Sequence, residues 1–232
     1  AQGLGGLMSI TGLPGQGPVR VGIPLADLTA GMFCAFGILT AILEREVSGE
    51  GQWVHTSLLE SQIFMLDFQA ARWTIKGEVP PQAGNNHPTI IPTGVFKTKD
   101  GHINLAPSGD AMYRRFSDAL GAPELLEDER FKTPKSRSKH RDALNAIIDG
   151  YTERETSAHW VTLMNDAGVP CGPIYRIDEM FADPQVRHLK MATPVEHPEL
   201  GTVDIVNQAV CMSRTPSDIS VPTPECGEHT DA

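Results

Sequence analysis

The chain is poor in cysteine, with four among its 232 residues. Cys34, Cys171, Cys211 and Cys226 lie far apart in the sequence and form no CxxC pair. No histidine accompanies them at the spacing of a metal site, so the sequence predicts neither a zinc cluster nor another metal site. Widely separated thiols are typical of a reducing compartment, and we therefore expect a cytoplasmic protein.

Positive charge is also scarce. The chain has 19 lysines and arginines against 29 aspartates and glutamates, which gives a formal net charge of −10. Such a surface repels phosphates and anionic headgroups, so we expect no nucleic-acid partner and no membrane partner. A small anionic ligand held in a local basic pocket remains compatible with this charge.

Long apolar runs and familiar catalytic motifs are rare. The run 28–43 is shorter than the ~18–20 residues of a membrane-spanning helix, so we predict a core helix there. No P-loop, GxSxG, HExxH or EF-hand pattern occurs. Gly3, Gly5 and Gly6 lack the GxGxxG spacing and open no helix after a strand. This argues against a dinucleotide site, and we expect no redox cofactor.

A carboxylate, Asp27, stands at the start of the apolar run. A helix that is apolar on every face is buried on every side, so we expect Asp27 to begin a buried helix. As an N-cap, Asp27 would accept a hydrogen bond from the backbone N–H of Thr29 or Ala30 and suit the positive end of the helix dipole. As a reagent, it would face a ligand. The residues alone leave both interpretations open.

Three glycines near this helix indicate close packing. Gly22, Gly31 and Gly37 stand where better helix formers would be expected. Glycine at such positions indicates that another group approaches the backbone. That group is either a neighbouring helix or a ligand.

The pattern along the chain mixes helices and strands. Apolar spacing predicts helices over 27–47, 58–75, 111–120, 138–151, 156–167, 177–181 and 184–188. Short alternating segments predict strands near 19–21 and over 52–56. Turn signals between alternating segments predict two hairpins, 94–106 and 193–206, and residues 169–173 read as a sharp connector.

One loop concentrates prolines and polar side chains. Residues 77–92 carry four prolines together with Gly84, Asn85, Asn86 and His87, which is typical of a linker or an ordered active-site loop. Of the eight histidines, His87 is the one in the context of a candidate site. It is interpreted either as a reagent or as a group that hydrogen-bonds within its own loop.

Several runs of the sequence resemble one family. These are 5–12, 18–31, 37–46, 48–52, 94–101, 168–173, 183–184 and 227–231. Together they are similar to the family III CoA-transferases of the CaiB/BaiF type. This group includes formyl-CoA:oxalate transferase, carnitine CoA-transferase and α-methylacyl-CoA racemase. The resemblance covers essentially the whole chain. Family members are longer, and the chain resembles their central and C-terminal part.

The resemblance implies an α/β fold with a large and a small domain. Residues 1–76 would be part of the large domain and carry the catalytic helix, and 77–92 would be the linker or active-site loop. Residues 93–175 would form the small α+β domain, and 176–232 would return to the large domain. The Rossmann-like half of the family fold is not matched, so residues that bind CoA stay unassigned. An interlocked homodimer is expected, with 77–92 and 207–226 as connecting arms.

The resemblance also assigns the catalytic carboxylate to Asp27. Family transferases pass CoA from an acyl-CoA to a small carboxylic acid through a covalent aspartyl intermediate, with CoA as a substrate. Gly84, Asn85, Asn86 and His87 stand where these enzymes carry a glycine-rich loop, whose backbone N–H groups can stabilise an oxyanion. The run differs from the glycine run of oxalate enzymes, which argues against oxalate specificity.

Two alternatives to transfer stay open. Racemases and isomerases of the family use the residue equivalent to Asp27 as an acid or base, with a histidine from the N-terminal half. The run 92–101 resembles the transferase branch more closely. In the other alternative the chain is a non-catalytic fragment in which Asp27 only caps its helix.

Overall fold

The structure, a computed structural model, describes residues 1–228 and residue 230. These residues form a mixed α/β protein with two antiparallel sheets. Its contacts divide the chain into two compact units, Ala1–Pro173 and Ile174–Ala232. The division into four segments at 76, 92 and 175 stays a prediction. His229 and Asp231, in the last run of the family resemblance, lie outside the described residues.

The helix predicted from Asp27 is present but begins two residues earlier. It is the second helix, α2, over Leu25–Ser48, and it follows a short helix, α1, over Leu7–Ile10, which the sequence pattern did not predict. α2 ends at Gly49, whose φ of 77° and N–H bond to the Arg45 carbonyl oxygen (2.8 Å) form a left-handed cap. Glycine adopts this conformation without steric cost, which is why the helix stops there.

α2 is largely exposed in this chain. Its buried residues are Ala26, Thr29 and Ala30. Large apolar side chains elsewhere on it face solvent, with Phe36 62% and Leu43 71% exposed. The described residues of this chain therefore do not bury the helix on every side. A helix that is apolar all round needs neighbours on every face, and this chain covers one side of it.

The length of α2 also differs from the sequence estimate. The helix has 24 residues, and 17% of its most apolar stretch is buried. By length and composition alone it could cross a membrane, in contrast to the shorter run 28–43. The central helix of a larger soluble domain has the same length and composition.

The second predicted helix, 58–75, is divided into two. α3 spans Leu58–Phe64 and α4 spans Phe68–Lys76. Between them, Asp67 has a φ of 49°, outside the right-handed helical region. The apolar spacing continues through this break, so periodicity could not reveal it.

The strands predicted near 19–21 and over 52–56 are absent from the described chain. In the second segment, Val54 packs against α2. A Cβ atom on Gly37 would lie 2.7 Å from Val54 Cγ1, so any larger residue would have to displace Val54. Gly37 is thus explained by a neighbouring segment of this chain. No described strand pairs with residues 52–56, so the segment forms no ladder.

The first unit also contains a three-stranded sheet. β1 (Gly94–Lys97) and β2 (His102–Leu105) form the predicted hairpin. β3 (Cys171–Pro173) pairs antiparallel with β2, so the predicted connector 169–173 contains a strand. Five helices lie between β2 and β3: α5 (Asp110–Leu120), α6 (Glu124–Glu127), α7 (Pro134–Lys139), α8 (Arg141–Thr152) and α9 (Ser157–Asp166). The predicted helices at 111–120 and 156–167 are confirmed, and the one at 138–151 is divided between α7 and α8.

The core of the first unit lies between this sheet and its helices. Its large, fully buried side chains come from both layers and include Phe96, Ile103, Leu105, Phe116, Phe131, Leu144, Ile148 and Met164. The Trp160 indole N–H donates to the Thr152 carbonyl oxygen at 2.7 Å, inside the core. The amphipathic spacing of α5 and α8 therefore correctly predicted a buried face on each helix.

The second unit follows the predicted elements. It contains α10 (Ile177–Ala182), α11 (Pro184–His188) and the antiparallel hairpin of β4 (Ala192–His197) and β5 (Gly201–Val206). Asp183 caps α11, since its carboxylate accepts hydrogen bonds from the backbone N–H groups of the next turn. Pro184 then fills the first helical position, where a missing N–H costs nothing.

Candidate active site

Asp27 is the third residue of α2 and does not cap it. Pro24 occupies the N-cap position, and the Asp27 side chain makes no capping bond within the described chain. The expected bond from Thr29 or Ala30 is therefore not formed, because the helix begins two residues earlier than predicted. Instead the Asp27 backbone N–H donates to the Pro24 carbonyl oxygen at 3.1 Å. The carboxylate is exposed and stands in the first turn, where the helix dipole favours negative charge.

A cleft of about 440 Å³ opens at Asp27. This volume lies in the range of small-molecule sites, roughly 300–1,000 Å³. Both polar and apolar side chains form its wall, from residues Ala1, Gln2, Gly3, Met8, Arg20, Pro24, Ala26, Asp27 and Leu58. The described surroundings of Gly22 and Gly31 are open as well, since a Cβ atom on either glycine would contact nothing within 4 Å.

The chain segment leading into Asp27 is held by the side chain of Gln2. Its amide nitrogen donates to the Ile23 carbonyl oxygen at 3.1 Å, and its amide oxygen accepts from the Val21 backbone N–H at 3.0 Å. The carboxamide thus bonds the backbone on both sides of Gly22, as a neighbouring strand would. The sequence pattern did not single out Gln2, because a lone glutamine carries no periodicity or motif.

Gln2 is itself held by a buried residue of α3. Gln62 is 0% exposed, and its amide nitrogen donates to the carbonyl oxygens of Ala1 (3.2 Å) and Gln2 (3.5 Å). A side chain on Gly5 would overlap this amide. Hydrogen bonds therefore connect the buried face of α3 to the backbone that precedes Asp27.

Gly84 has a structural role in the proline-rich loop. Its φ of 61° lies in the left-handed region, which favours glycine. Its N–H donates to the Gly12 carbonyl oxygen at 3.2 Å, and a Cβ atom would lie 3.1 Å from Leu13 Cδ2. The Gly84 N–H is therefore occupied within the described chain and is not free there to donate to an oxyanion, the role that the sequence predicted.

Asn85 and Asn86 differ in what their side chains do. The Asn86 side-chain oxygen accepts from Asn145 Nδ2 at 2.7 Å, and its backbone forms an isolated bridge with Gly94. Asn85 bonds through its backbone, accepting from the Val95 N–H at 3.1 Å, while its side chain is exposed. Asn86 therefore anchors the loop, and Asn85 presents a carboxamide to solvent.

His87 hydrogen-bonds within its own loop. Its Nδ1 accepts from the backbone N–H groups of Thr89 (3.2 Å) and Ile90 (3.0 Å), and its ring stacks on Phe68 with centroids 5.8 Å apart. An accepting Nδ1 places the proton of the neutral ring on Nε2. These contacts support the loop-bonding interpretation over the reagent. The wall of the Asp27 cleft includes none of residues 84–87.

A buried arginine, which the sequence pattern did not reveal, fixes the end of the same loop. Arg137 donates to the carbonyl oxygens of Ile91 (3.2 Å) and Phe131 (3.0 Å) and pairs with Asp110 at 2.7 Å. Its guanidinium lies 4.1 Å from the Tyr113 ring centroid. Burial raises the pKa of Tyr113 to about 12, and the nearby guanidinium opposes this rise.

The cysteines and the metal-ligating side chains of the described residues form no reactive or metal-binding cluster. All four cysteines are free, and burial raises the pKa of the Cys171 thiol to about 11. Cys171 is therefore a neutral packing group near pH 7. No group of three or more metal-ligating side chains occurs in the described part of the chain.

Comparison with known proteins gives one consistent result. The family model for CoA-transferase family III matches residues 1–230. A succinate–glutarate CoA-transferase from Agrobacterium fabrum is 36% identical over 98% of this chain and 57% of its own length. Human succinyl-CoA:glutarate CoA-transferase is 32% identical over 99% of this chain and 52% of its own length.

A solved structure agrees with these relatives. The crystal structure of a CaiB/BaiF family protein from Brucella suis aligns with a TM-score of 0.82 at 30% identity. The alignment covers 98% of this chain and 59% of that one, so the chain spans somewhat more than half the length of the proteins it matches. A match along nearly the whole chain fixes its family even though its relatives are longer. The chain belongs to CoA-transferase family III.

Proposed function

We propose that this protein transfers coenzyme A between carboxylic acids and that Asp27 is the carboxylate that carries CoA. Membership of the family supports the reaction class. The assignment to Asp27 rests on one observation. Its carboxylate is exposed in a ligand-sized cleft and makes no capping hydrogen bond that would explain an aspartate at this position. The alternative in which Asp27 is only an N-cap loses its structural basis, because Pro24 holds that position.

The first half of the reaction transfers CoA to Asp27. A carboxylate oxygen attacks the thioester carbonyl carbon of the acyl-CoA, the C–S bond breaks, and CoA leaves as the thiolate. The product is a mixed anhydride between Asp27 and the acyl group. The thiolate then attacks the Asp27 carbonyl carbon and releases the donor acid as its carboxylate, which leaves an aspartyl-CoA thioester.

The second half reverses these steps with a new acid. The acceptor carboxylate attacks the aspartyl thioester and forms an anhydride as the thiolate leaves. The thiolate then attacks the acceptor acyl carbon, which regenerates the Asp27 carboxylate. No proton or electron is consumed, so the cycle needs neither a general base nor a redox group. The first turn of α2 favours the negative charge of the free carboxylate.

The names of the relatives favour dicarboxylic acids as substrates. Both transferases described above act on glutarate together with succinate or succinyl-CoA. We therefore propose an acyl-CoA donor and a small dicarboxylic acid acceptor. The same names favour transfer over the racemase or isomerase alternative.

The proposal also covers the oligomeric state and the cellular location of the protein. We propose an interlocked homodimer in the cytoplasm, without nucleic-acid or membrane partners, in keeping with the net charge of −10. A crystal structure of the complete protein that showed separate, unlinked subunits would contradict the interlocking.

Replacement of Asp27 by asparagine in the complete protein tests the catalytic role. Asp27→Asn keeps the shape of the side chain but removes the nucleophile, so we expect a folded protein whose transfer rate falls about a thousandfold or more. Asp118→Asn, at an exposed position of α5, is the matched control and should retain activity. Near-normal turnover by the Asp27 variant would contradict the assignment.

A further inference from the structure

A dicarboxylic acid presents two charges, and Asp27 chemistry uses one of them. One carboxylate becomes the thioester, while the other stays anionic throughout the reaction. The protein carries a net charge of −10, which disfavours a dianion at its surface. A site for such an acceptor therefore needs a local cation within one small-molecule length of Asp27.

Arg20 is the candidate for this cation. It lines the same cleft of about 440 Å³ as Asp27, and among the described residues of the wall it has the only cationic side chain. Arg20 forms no ion pair with a described carboxylate, Asp27 included. Its guanidinium is exposed and free to meet a ligand.

The backbone beside Arg20 is also fixed. Val21, the next residue, donates its N–H to the Gln2 side chain at 3.0 Å, and the same carboxamide bonds Ile23 at 3.1 Å. Six residues separate Arg20 from Asp27. Two of them, Val21 and Ile23, are held by Gln2, and the path ends in the first turn of α2. A fixed backbone limits the positions that the guanidinium can take relative to the nucleophile.

We propose that Arg20 binds the distal carboxylate of a dicarboxylic acid substrate and thereby selects dicarboxylates over monocarboxylates. Guanidinium matches a carboxylate with two parallel N–H bonds, which an ammonium cannot reproduce. Arg20 acts on the non-reacting end of the acid, so it determines specificity and takes no part in bond making. The inference rests on the proposed transferase function.

The test compares glutarate with pentanoate, which has the same chain length and lacks the second carboxylate. Both acids are offered to the complete protein as acceptors, with one acyl-CoA donor at a fixed concentration. The ratio of kcat/KM values for the two acids cancels any effect on the donor. For Arg20→Gln, we expect kcat/KM for glutarate to fall about tenfold to a hundredfold, with little change for pentanoate.

Two further variants sharpen the result. Arg20→Lys keeps the charge without the bidentate geometry, so it should recover part of the glutarate preference. Arg114→Gln, which removes an exposed arginine from α5, is the matched control and should leave both acids unchanged. An equal loss for both acids, or an unchanged preference in Arg20→Gln, would overturn the proposal.

A binding measurement separates this proposal from the proposed function. Titration of glutarate into Asp27→Asn measures recognition without turnover, and adding Arg20→Gln to that variant should weaken binding by a similar factor. If the unaltered protein transfers CoA to no acid, the transferase function fails. If it transfers CoA and Arg20→Gln still prefers glutarate, only the role of Arg20 fails.

Discussion

The side-chain oxygen of Gln2 accepts a hydrogen bond from the Val21 backbone N–H at 3.0 Å, across 19 residues of chain. With the second bond from Gln2 to Ile23, this contact fixes the approach to α2. The backbone that leads to Asp27, the proposed catalytic carboxylate, is therefore held by the Gln2 side chain. Gln62, buried under Gln2, extends the same arrangement into α3.

We expect Gln2→Ala to lower transfer activity without preventing folding. Loss of both bonds releases residues 21–23, and a displacement of about 1 Å at a reacting group can cost on the order of a hundredfold in rate. Steady-state kinetics of the complete protein should show a fall of about tenfold or more in kcat. Gln16→Ala, an exposed glutamine in the neighbouring loop, is the control. Equal activity of the two variants would show that the Gln2 bonds do not position Asp27.

The buried hydrogen bond of Trp160 should contribute measurably to stability. Trp160→Phe keeps an aromatic ring but removes the donor to the Thr152 carbonyl oxygen, so we expect a loss of about 1–3 kcal/mol in the free energy of unfolding. Trp53 is 86% exposed, and Trp53→Phe in the chain 1–232 is the matched control. Denaturant unfolding of both variants makes the comparison. A larger loss at Trp53 would contradict the core described here.

The stability of the protein should fall as the pH rises above about 9. Burial raises the pKa of Cys171 from 9.0 in the unfolded chain to about 11 in the fold. Between these values the unfolded state releases its proton and the folded state keeps it, so rising pH favours unfolding. Allowing for partial exposure, the loss is roughly 1 kcal/mol. Cys171→Ala should flatten the dependence between pH 7 and 10.5, whereas Cys211→Ala, at an exposed thiol, should not.

The exposed face of α2 predicts how the chain behaves on its own. Phe36, Leu39, Leu43 and Val47 are 59–90% exposed, and together they form an apolar surface that a monomer in water rarely presents. Residues 1–232 expressed alone should bind a hydrophobic dye and self-associate. Leu43→Glu with Val47→Glu should reduce both effects, and Glu46→Gln is the control. A soluble, dye-silent monomer with a cooperative melt would show that the 232 residues need no further covering.

The sequence predicted best the elements that have clear local patterns. The helix predicted at 184–188 matches α11 to the residue, and the turn signal at 99–101 correctly predicted the first hairpin. Burial of α2 could not be predicted in this way. An apolar helix indicates that something covers it, but it does not say whether the same chain supplies the cover.

The residues of the candidate site also divide into those that the sequence revealed and those that only the fold revealed. Asp27 was found because a carboxylate at an apolar helix is unusual and because its run resembles a family. Gln2 and Gln62 were missed, since their hydrogen bonds join distant segments and leave no local pattern. Arg20 was missed because its place in the wall of the Asp27 cleft is visible only in the fold. The predicted role of Gly84 as an oxyanion donor overlooked its N–H bond to Gly12, which only the folded backbone reveals.

Mass spectrometry of the complete protein incubated with succinyl-CoA tests the central claim most directly. We expect a covalent adduct whose added mass is that of CoA less one water, located by peptide mapping on the fragment that contains Asp27 and released by an acceptor acid. Asp118→Asn should form the same adduct, and Asp27→Asn should form none. Two results would contradict Asp27 as the nucleophile. One is a CoA adduct on another residue, and the other is an Asp27→Asn variant that still forms the adduct and turns over.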